Sequence, residues 1–183
     1  QRRRVEPLGS GFVIEPNGVV VTNAHVIEGA SRIVVTTADG KELEADVLGS
    51  DHDSDLAVLK VEGRNLPAVP LGDSRNLMIG ETVIAIGNPF GFSHTVTTGV
   101  ISAKNRSLPR VLQSNLEYTN LLQTDTSINP GNSGGALVNI NGELIGINTA
   151  IHAQGEGIGF AIPVDALRQT VIHLLDLELA SRG

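Results

Sequence analysis

The sequence predicts an all-β fold, two small β domains in tandem with a terminal helix, and three observations carry that prediction. Short β-branched runs recur at close intervals, bounded by Gly, Asn, Asp and Pro. Gly is abundant, at 21 of 183 residues, and aromatics make up only 3%, a balance that suits many strands and turns better than a helical bundle. From Pro163 to Ala180 the apolar period changes to a helical one.

Strands are expected at 12–14, 19–22, 33–37, 43–48 and 56–61. Asn17-Gly18 and Asp39-Gly40 lie between such runs and read as hairpin turns. A looser stretch from Gly63 to Gly80, holding Pro67, Pro70 and Gly72, reads as the connection between domains. After it come runs at 82–87, 94–101, 121–124, 136–138, 144–150 and 160–162, with Asn141-Gly142 as a third hairpin turn. The division expected is 1–78, 79–162 and a helical tail at 163–183. In that tail Val164, Leu167, Val171, Leu174, Leu175 and Leu179 fall on helical spacing, with Pro163 at the start and Gly183 beyond the end.

Composition removes several functions. A net charge of −7 leaves no broad basic surface for nucleic acid, and Arg2-Arg3-Arg4 reads as a solvated tail. Without Cys there is neither disulfide nor thiol chemistry. No apolar run approaches the ~18 residues of a spanning helix. The chain begins with neither Met nor a signal-like leader, the pattern expected of a mature or trimmed chain.

The segment Ile128-Asn129-Pro130-Gly131-Asn132-Ser133-Gly134-Gly135 places one Ser in a tight Gly-rich turn ahead of an apolar strand. Gly131 and Ser133 are spaced so that two backbone N–H groups can face one oxyanion while the hydroxyl attacks the adjacent carbonyl. Such a hydroxyl needs a base and an orienting group. Of the five His, His25 follows the run Val19-Val20-Val21, where a strand end can hold an imidazole at a cleft. Asp55 abuts the most apolar strand of the first half, whereas Asp51 and Asp53 lie in more polar sequence. The cluster Asp51-x-Asp53-x-Asp55 fails as a calcium loop, since Leu56 occupies the position that needs Gly. Gly155-x-Gly157-x-Gly159 lacks the setting of a dinucleotide fingerprint, and Gly131–Gly135 lacks a phosphate-loop Lys. The order His25, Asp55, Ser133 is that of chymotrypsin, and the base and nucleophile fall on opposite sides of the connection.

Thr22-Asn23-Ala24-His25-Val26, Asp53-Ser54-Asp55-Leu56-Ala57-Val58-Leu59-Lys60, Gly131-Asn132-Ser133-Gly134-Gly135-Ala136-Leu137 and Gly157-Ile158-Gly159-Phe160-Ala161-Ile162-Pro163 together resemble the protease domain of the HtrA (DegP/DegS-like) serine proteases. Gly87-Asn88-Pro89-Phe90-Gly91 and Thr97-Thr98-Gly99-Val100-Ile101-Ser102 look like the same family. The resemblance implies a chymotrypsin/trypsin-like double β-barrel with the active site between the barrels and no metal or organic cofactor. It further implies an endopeptidase of unfolded or misfolded polypeptides, usually trimeric, in the periplasm or cell envelope. By that resemblance His25 is the base, Asp55 its orienter and Ser133 the nucleophile. Gly131, Asn132 and Ser133 form the oxyanion turn, and Ile128 and Ile151 line the specificity pocket. Asn148, Thr149 and Ala150 pair with substrate backbone, and Arg106 belongs to the loop that senses ligand. Ser127 stands six residues before the nucleophile, where trypsin-like enzymes keep an Asp, so Lys and Arg should be rejected in favour of Val, Ala or Ile. Two departures accompany the match. Members usually continue into PDZ domains, and they carry a helix and a further strand before Leu8-Gly9-Ser10-Gly11. The first barrel is therefore expected to lack one strand and to expose a sheet edge. A binder that holds unfolded chains without cutting them, or a protease resting until a sensor domain engages, remains an alternative.

Overall fold

The computed structural model describes residues 9–88, 95–108, 117–149 and 156–181. Its first sheet is built from β1 (Phe12–Glu15), β2 (Val19–Thr22), β3 (Ile33–Thr36), β4 (Glu42–Asp51) and β5 (Leu56–Val61), in the order β1-β2-β5-β4-β3. A four-residue helical turn, α1 (Ala24–Ile27), leaves the end of β2. The second sheet comprises β6 (Thr82–Gly87), β7 (Thr95–Leu108), β8 (Tyr118–Thr124), β9 (Ala136–Val138), β10 (Leu144–Thr149) and β11 (Gly159–Pro163), closed as β10-β11-β8-β7-β6-β9. All pairings within the sheets are antiparallel. The helix α2 (Val164–Ser181) continues directly from β11, so Pro163 closes the strand and does not open the helix.

The Asn-Gly and Asp-Gly turns form as expected, each by one mechanism. The N–H of Gly18, Gly40 and Gly142 reaches the carbonyl three residues back, on Glu15, Thr37 and Asn139, at 2.8–3.0 Å. All three Gly have positive φ, while the residue before each does not. These are therefore type I turns ending in a left-handed Gly, rather than two-residue turns with both residues left-handed.

The first sheet stays open, but its β1 edge is not bare. The connection that reads as loose in sequence runs along it, with Leu66 N–H on Pro16 O (3.0 Å) and Val69 N–H on Val13 O (2.9 Å). It then zips onto β10, where Leu144 N–H bonds Pro70 O and Gly72 N–H bonds Leu144 O, both at 2.8 Å. The expected exposed edge is thus partly covered on β1. The other edge strand, β3, pairs only with β4.

One core cluster joins the two sheets. Val21 and Leu56 of the first pack with Leu121, Ile147, Phe160 and Ile162 of the second and with Val164 and Leu167 of α2. Each such buried side chain is worth roughly 1.5–3 kcal/mol, and together they fix the crevice between the sheets. Further along α2, Leu174 lies over Gly49 of β4, where an added Cβ would come within 2.8 Å of its Cδ2. Asp165 and Ser74 hold the helix start, Asp165 N–H donating to Ser74 Oγ at 3.2 Å.

Candidate active site

Strand pairing brings the first two site residues together. β2 and β5 pair with Thr22 opposite Ala57, so the residues just after β2 meet those just before β5. Asp55 sits there with φ 54°, a left-handed conformation that Asp tolerates better than most residues. The turn presenting it is fastened by Asp51, whose carboxylate accepts from Asp53 N–H (3.0 Å) and Ser54 Oγ (2.7 Å). Asp51 and Asp53 of the acidic cluster are thus spent on the turn and its surface.

Asp55 is fully buried, and three donors converge on its carboxylate. His25 N–H reaches Oδ1 at 3.0 Å, His25 Nδ1 reaches Oδ2 at 2.7 Å, and Tyr118 O–H reaches Oδ2 at 2.9 Å. A buried anion requires such pairing. With Nδ1 donating to Asp55, His25 Nε2 is left as an acceptor. It stands 3.1 Å from Ser133 Oγ. Ser133 is 2% exposed, whereas the His25 side chain is 35% exposed and faces the crevice. Tyr118 comes from the other sheet. Burial, reinforced by the Asp55 carboxylate, raises its phenol pKa far above the usual value, so it stays a donor.

Ser133 follows one turn of 3₁₀ helix over Pro130–Asn132, closed by Asn132 N–H on Asn129 O at 3.1 Å. Asn132 is buried, and its side chain binds the turn twice, Oδ1 accepting from Asn129 N–H (2.9 Å) and Nδ2 donating to Ser127 O (3.0 Å). Behind the nucleophile, Gly134 has φ 84°, and a Cβ there would meet Ser10 O at 2.3 Å. No other residue fits.

Ser10 and Asn23 hold Ser133 from the first sheet, and no local signal in the sequence marks either contact. Ser10 N–H donates to Ser133 O (2.9 Å), while its hydroxyl donates to Gly131 O (2.7 Å) and accepts from Asn88 N–H (2.7 Å). Asn23 Oδ1 accepts from Ser133 Oγ at 2.9 Å. Both residues sit inside family-like motifs, which was the one clue available.

The remaining expected positions divide. Ile128 is half-buried and abuts Gly159, where a Cβ would lie 2.6 Å from its Cγ1. Asn148 and Thr149 are buried on β10, and Asn148 already spends its main chain on the Ser133 turn, N–H on Gly135 O (2.9 Å) and O on Gly134 N–H (2.8 Å). Ala150 and Ile151 lie outside the described residues. Arg106 is exposed on β7 opposite Leu121, on a strand rather than in a loop. His173 is exposed on α2.

An open sheet and a closed barrel meeting at a buried Ser, a crevice-facing His and a buried Asp define the trypsin-like class. The family model of the trypsin-like peptidase domain matches residues 9–147. The chain is 50% identical over 179 residues to a DegP-like periplasmic serine endoprotease of Halomonas elongata, covering 96% of this chain and 37% of that protein. A protein of the same name from Pseudomonas putida (strain W619) is 51% identical over 186 residues, covering 100% of this chain and 38% of its own length. Among solved structures, the HtrA-type protease AlgW with a decapeptide superposes with a TM-score of 0.83 at 46% identity, over 92% of this chain and 52% of that one. The serine endoprotease from Yersinia pestis gives 0.80 at 46% identity, over 92% and 57%. The chain belongs to the trypsin-like peptidase family, among its HtrA (DegP-like) serine proteases. It spans little more than a third of the length of the curated relatives it matches.

Proposed function

We propose that this chain is the catalytic part of a serine endopeptidase that cleaves unfolded polypeptides after small or medium apolar residues. The observation that carries the reading is the continuous line from Asp55 through His25 to Ser133, at 2.7 and 3.1 Å. Ser133 Oγ attacks the scissile carbonyl carbon as its proton passes to His25 Nε2, and Asp55 stabilises the imidazolium. The tetrahedral intermediate collapses with that proton going to the leaving amine, and water, deprotonated by His25, hydrolyses the acyl-enzyme. The N–H groups of Gly131 and Ser133 receive the oxyanion, with Asn132 between them. By the family resemblance Ile128 and Ile151 belong to an apolar specificity pocket, Ser127 standing where trypsin-like enzymes keep an Asp, so that Lys and Arg are rejected, and the substrate backbone pairs as an added strand with Asn148-Thr149-Ala150. Arg106 relays ligand binding to the oxyanion turn. The whole protein, on this reading, acts in envelope protein quality control as a PDZ-bearing trimer in the periplasm, with the domain boundary near residue 78.

One observation favours a resting form of the same enzyme. The turn over Pro130–Asn132 is wound as 3₁₀ helix, with Asn132 N–H on Asn129 O at 3.1 Å, whereas an oxyanion site needs the amides on either side of Asn132 turned outward. An apolar peptide should then raise activity by reorganising that turn. Casein cleavage and fluorophosphonate labelling, with and without such a peptide, test both parts. Wild type should label and cleave, more so with peptide, and Ser133→Ala should lose about 10⁶-fold in turnover. Protection of an unfolded client by both proteins, without cleavage or labelling in either, would favour the binding alternative.

A further inference from the structure

The Ser133 hydroxyl has one proton and two acceptors. Asn23 Oδ1 lies 2.9 Å from Oγ and His25 Nε2 lies 3.1 Å from it. Only His25 can take the proton during attack, because an amide oxygen is not a useful base at neutral pH. The orientation of the Asn23 amide therefore matters, and the chemistry around it sets that orientation. Asn23 Nδ2 is 3.0 Å from the main-chain oxygen of Asp55, which also accepts Ala24 N–H at 3.1 Å. A carbonyl oxygen only accepts, so the NH₂ group must face Asp55 and Oδ1 must face Ser133. Asn23 is fully buried, so no solvent competes for either end.

The local structure gives Asn23 a different task from the one its position suggests. It stands at the N-cap of α1, where an Asn side chain ordinarily accepts from an N–H of the first turn. No such bond forms. The N–H groups it would cap are used elsewhere, His25 N–H on Asp55 Oδ1 and Val26 N–H on the Asn23 main-chain oxygen at 3.2 Å. The side chain is instead turned back to span Asp55 and the nucleophile.

We propose that Asn23 is a brake on the nucleophile: its Oδ1 holds the Ser133 hydroxyl proton at rest, in competition with His25. The inference rests on the reading of Ser133 as nucleophile and His25 as base. Two consequences follow from one bond. Before attack, the hydroxyl must rotate from Asn23 to His25. After attack, the ester Oγ carries no proton, so Asn23 Oδ1 is left buried opposite another acceptor, which disfavours the acylated state.

The test is the rate at which an alkyl fluorophosphonate labels Ser133. In that reaction the Oγ–P bond forms, fluoride leaves, and the hydroxyl proton passes to His25. Asn23→Ala removes the competing acceptor and leaves Ala24 N–H on the Asp55 carbonyl. It should label about threefold to tenfold faster than wild type, the factor one ordinary hydrogen bond is worth. A role confined to packing would predict the opposite, slower labelling. Equal or slower labelling in a variant that melts as wild type does overturns the proposal. Absence of labelling in both proteins, with peptide present, overturns instead the reading on which it rests. If Asn23→Ala does not fold, ¹⁵N NMR of the His25 ring settles the matter by comparing wild type with Ser133→Ala. An Nε2 resonance that stays in place means the hydroxyl was donated to Asn23. A resonance that moves as its hydrogen-bond donor is lost means it was donated to His25, and the brake does not exist.

Discussion

In the first sheet, His25 and Asp55 stand at the adjoining ends of two paired strands, each tied to the other by main-chain as well as side-chain bonds. In the barrel, Ser133 stands in a turn that precedes its strand and is held from both sides, by Ser10 and Asn23 beside the first sheet and by Asn132 and Asn148 of the barrel. The first half of the site is thus fixed by one strand pair, whereas the Ser133 turn depends on contacts from both halves. Barrel closure fixes strands, not the turns that enter them.

The largest break in this comparison is expected at Asp55. Asp55→Asn keeps the shape but sets an NH₂ group among three donors, and the imidazole loses the partner that fixes its tautomer. Turnover of a peptide substrate should fall by about 10⁴, with KM little changed. Steady-state kinetics on the purified variant measures this, and a loss below about tenfold would mean that the first sheet does not set the base.

Next in size is Ser10, the contact by which the first half grips the Ser133 turn. Ser10→Ala leaves Asn88 N–H and Gly131 O without the hydroxyl that joins them. Each unpaired group costs roughly 1–3 kcal/mol. If that cost falls on the turn, Ser133 labelling slows by about tenfold to a hundredfold while the melting temperature shifts by only a few degrees. A full loss in melting temperature with unchanged labelling of the folded fraction would show that the turn holds itself.

What could be read in the sequence follows the range of the interactions involved. Strands, hairpin Gly and the helical tail are local patterns and most fell where period and turn residues put them, though β4 and β7 run on to Asp51 and Leu108 and β8 begins already at Tyr118. His25, Asp55 and Ser133 were legible because strand ends and a Gly-rich turn are local as well, and their order along the chain suggests one family of sites. Ser10, Asn23 and Tyr118 act across 121, 110 and 63 residues, so no window of sequence holds both partners. The connection from Gly63 to Gly80 read as loose because Pro67 and Pro70 cannot donate to a ladder. Yet Val69 N–H and the Pro70 oxygen remain available, and the chain uses them to seam β1 to β10.

The smallest expected effect probes a contact that runs the other way, from the barrel to the carboxylate beside His25. Tyr118 O–H donates to Asp55 Oδ2, and burial followed by that carboxylate raises its pKa above the free value of 10.0. The folded protein therefore holds the phenol proton more tightly than the unfolded chain. The linked stability is whole below pH 10.0 and is lost as pH climbs from there toward the raised value, because only the unfolded chain gains by ionising. Above the unfolded value the slope approaches about 1.4 kcal/mol per pH unit for one such group. Tyr118→Phe should be less stable than wild type by about 1–2 kcal/mol at neutral pH, since one donor to a charged acceptor is gone. It should nonetheless lose less stability between pH 9 and pH 11, so that the two melting curves converge. Parallel curves would place the ionising phenol outside the buried contact, and Tyr118 would then have no hold on Asp55.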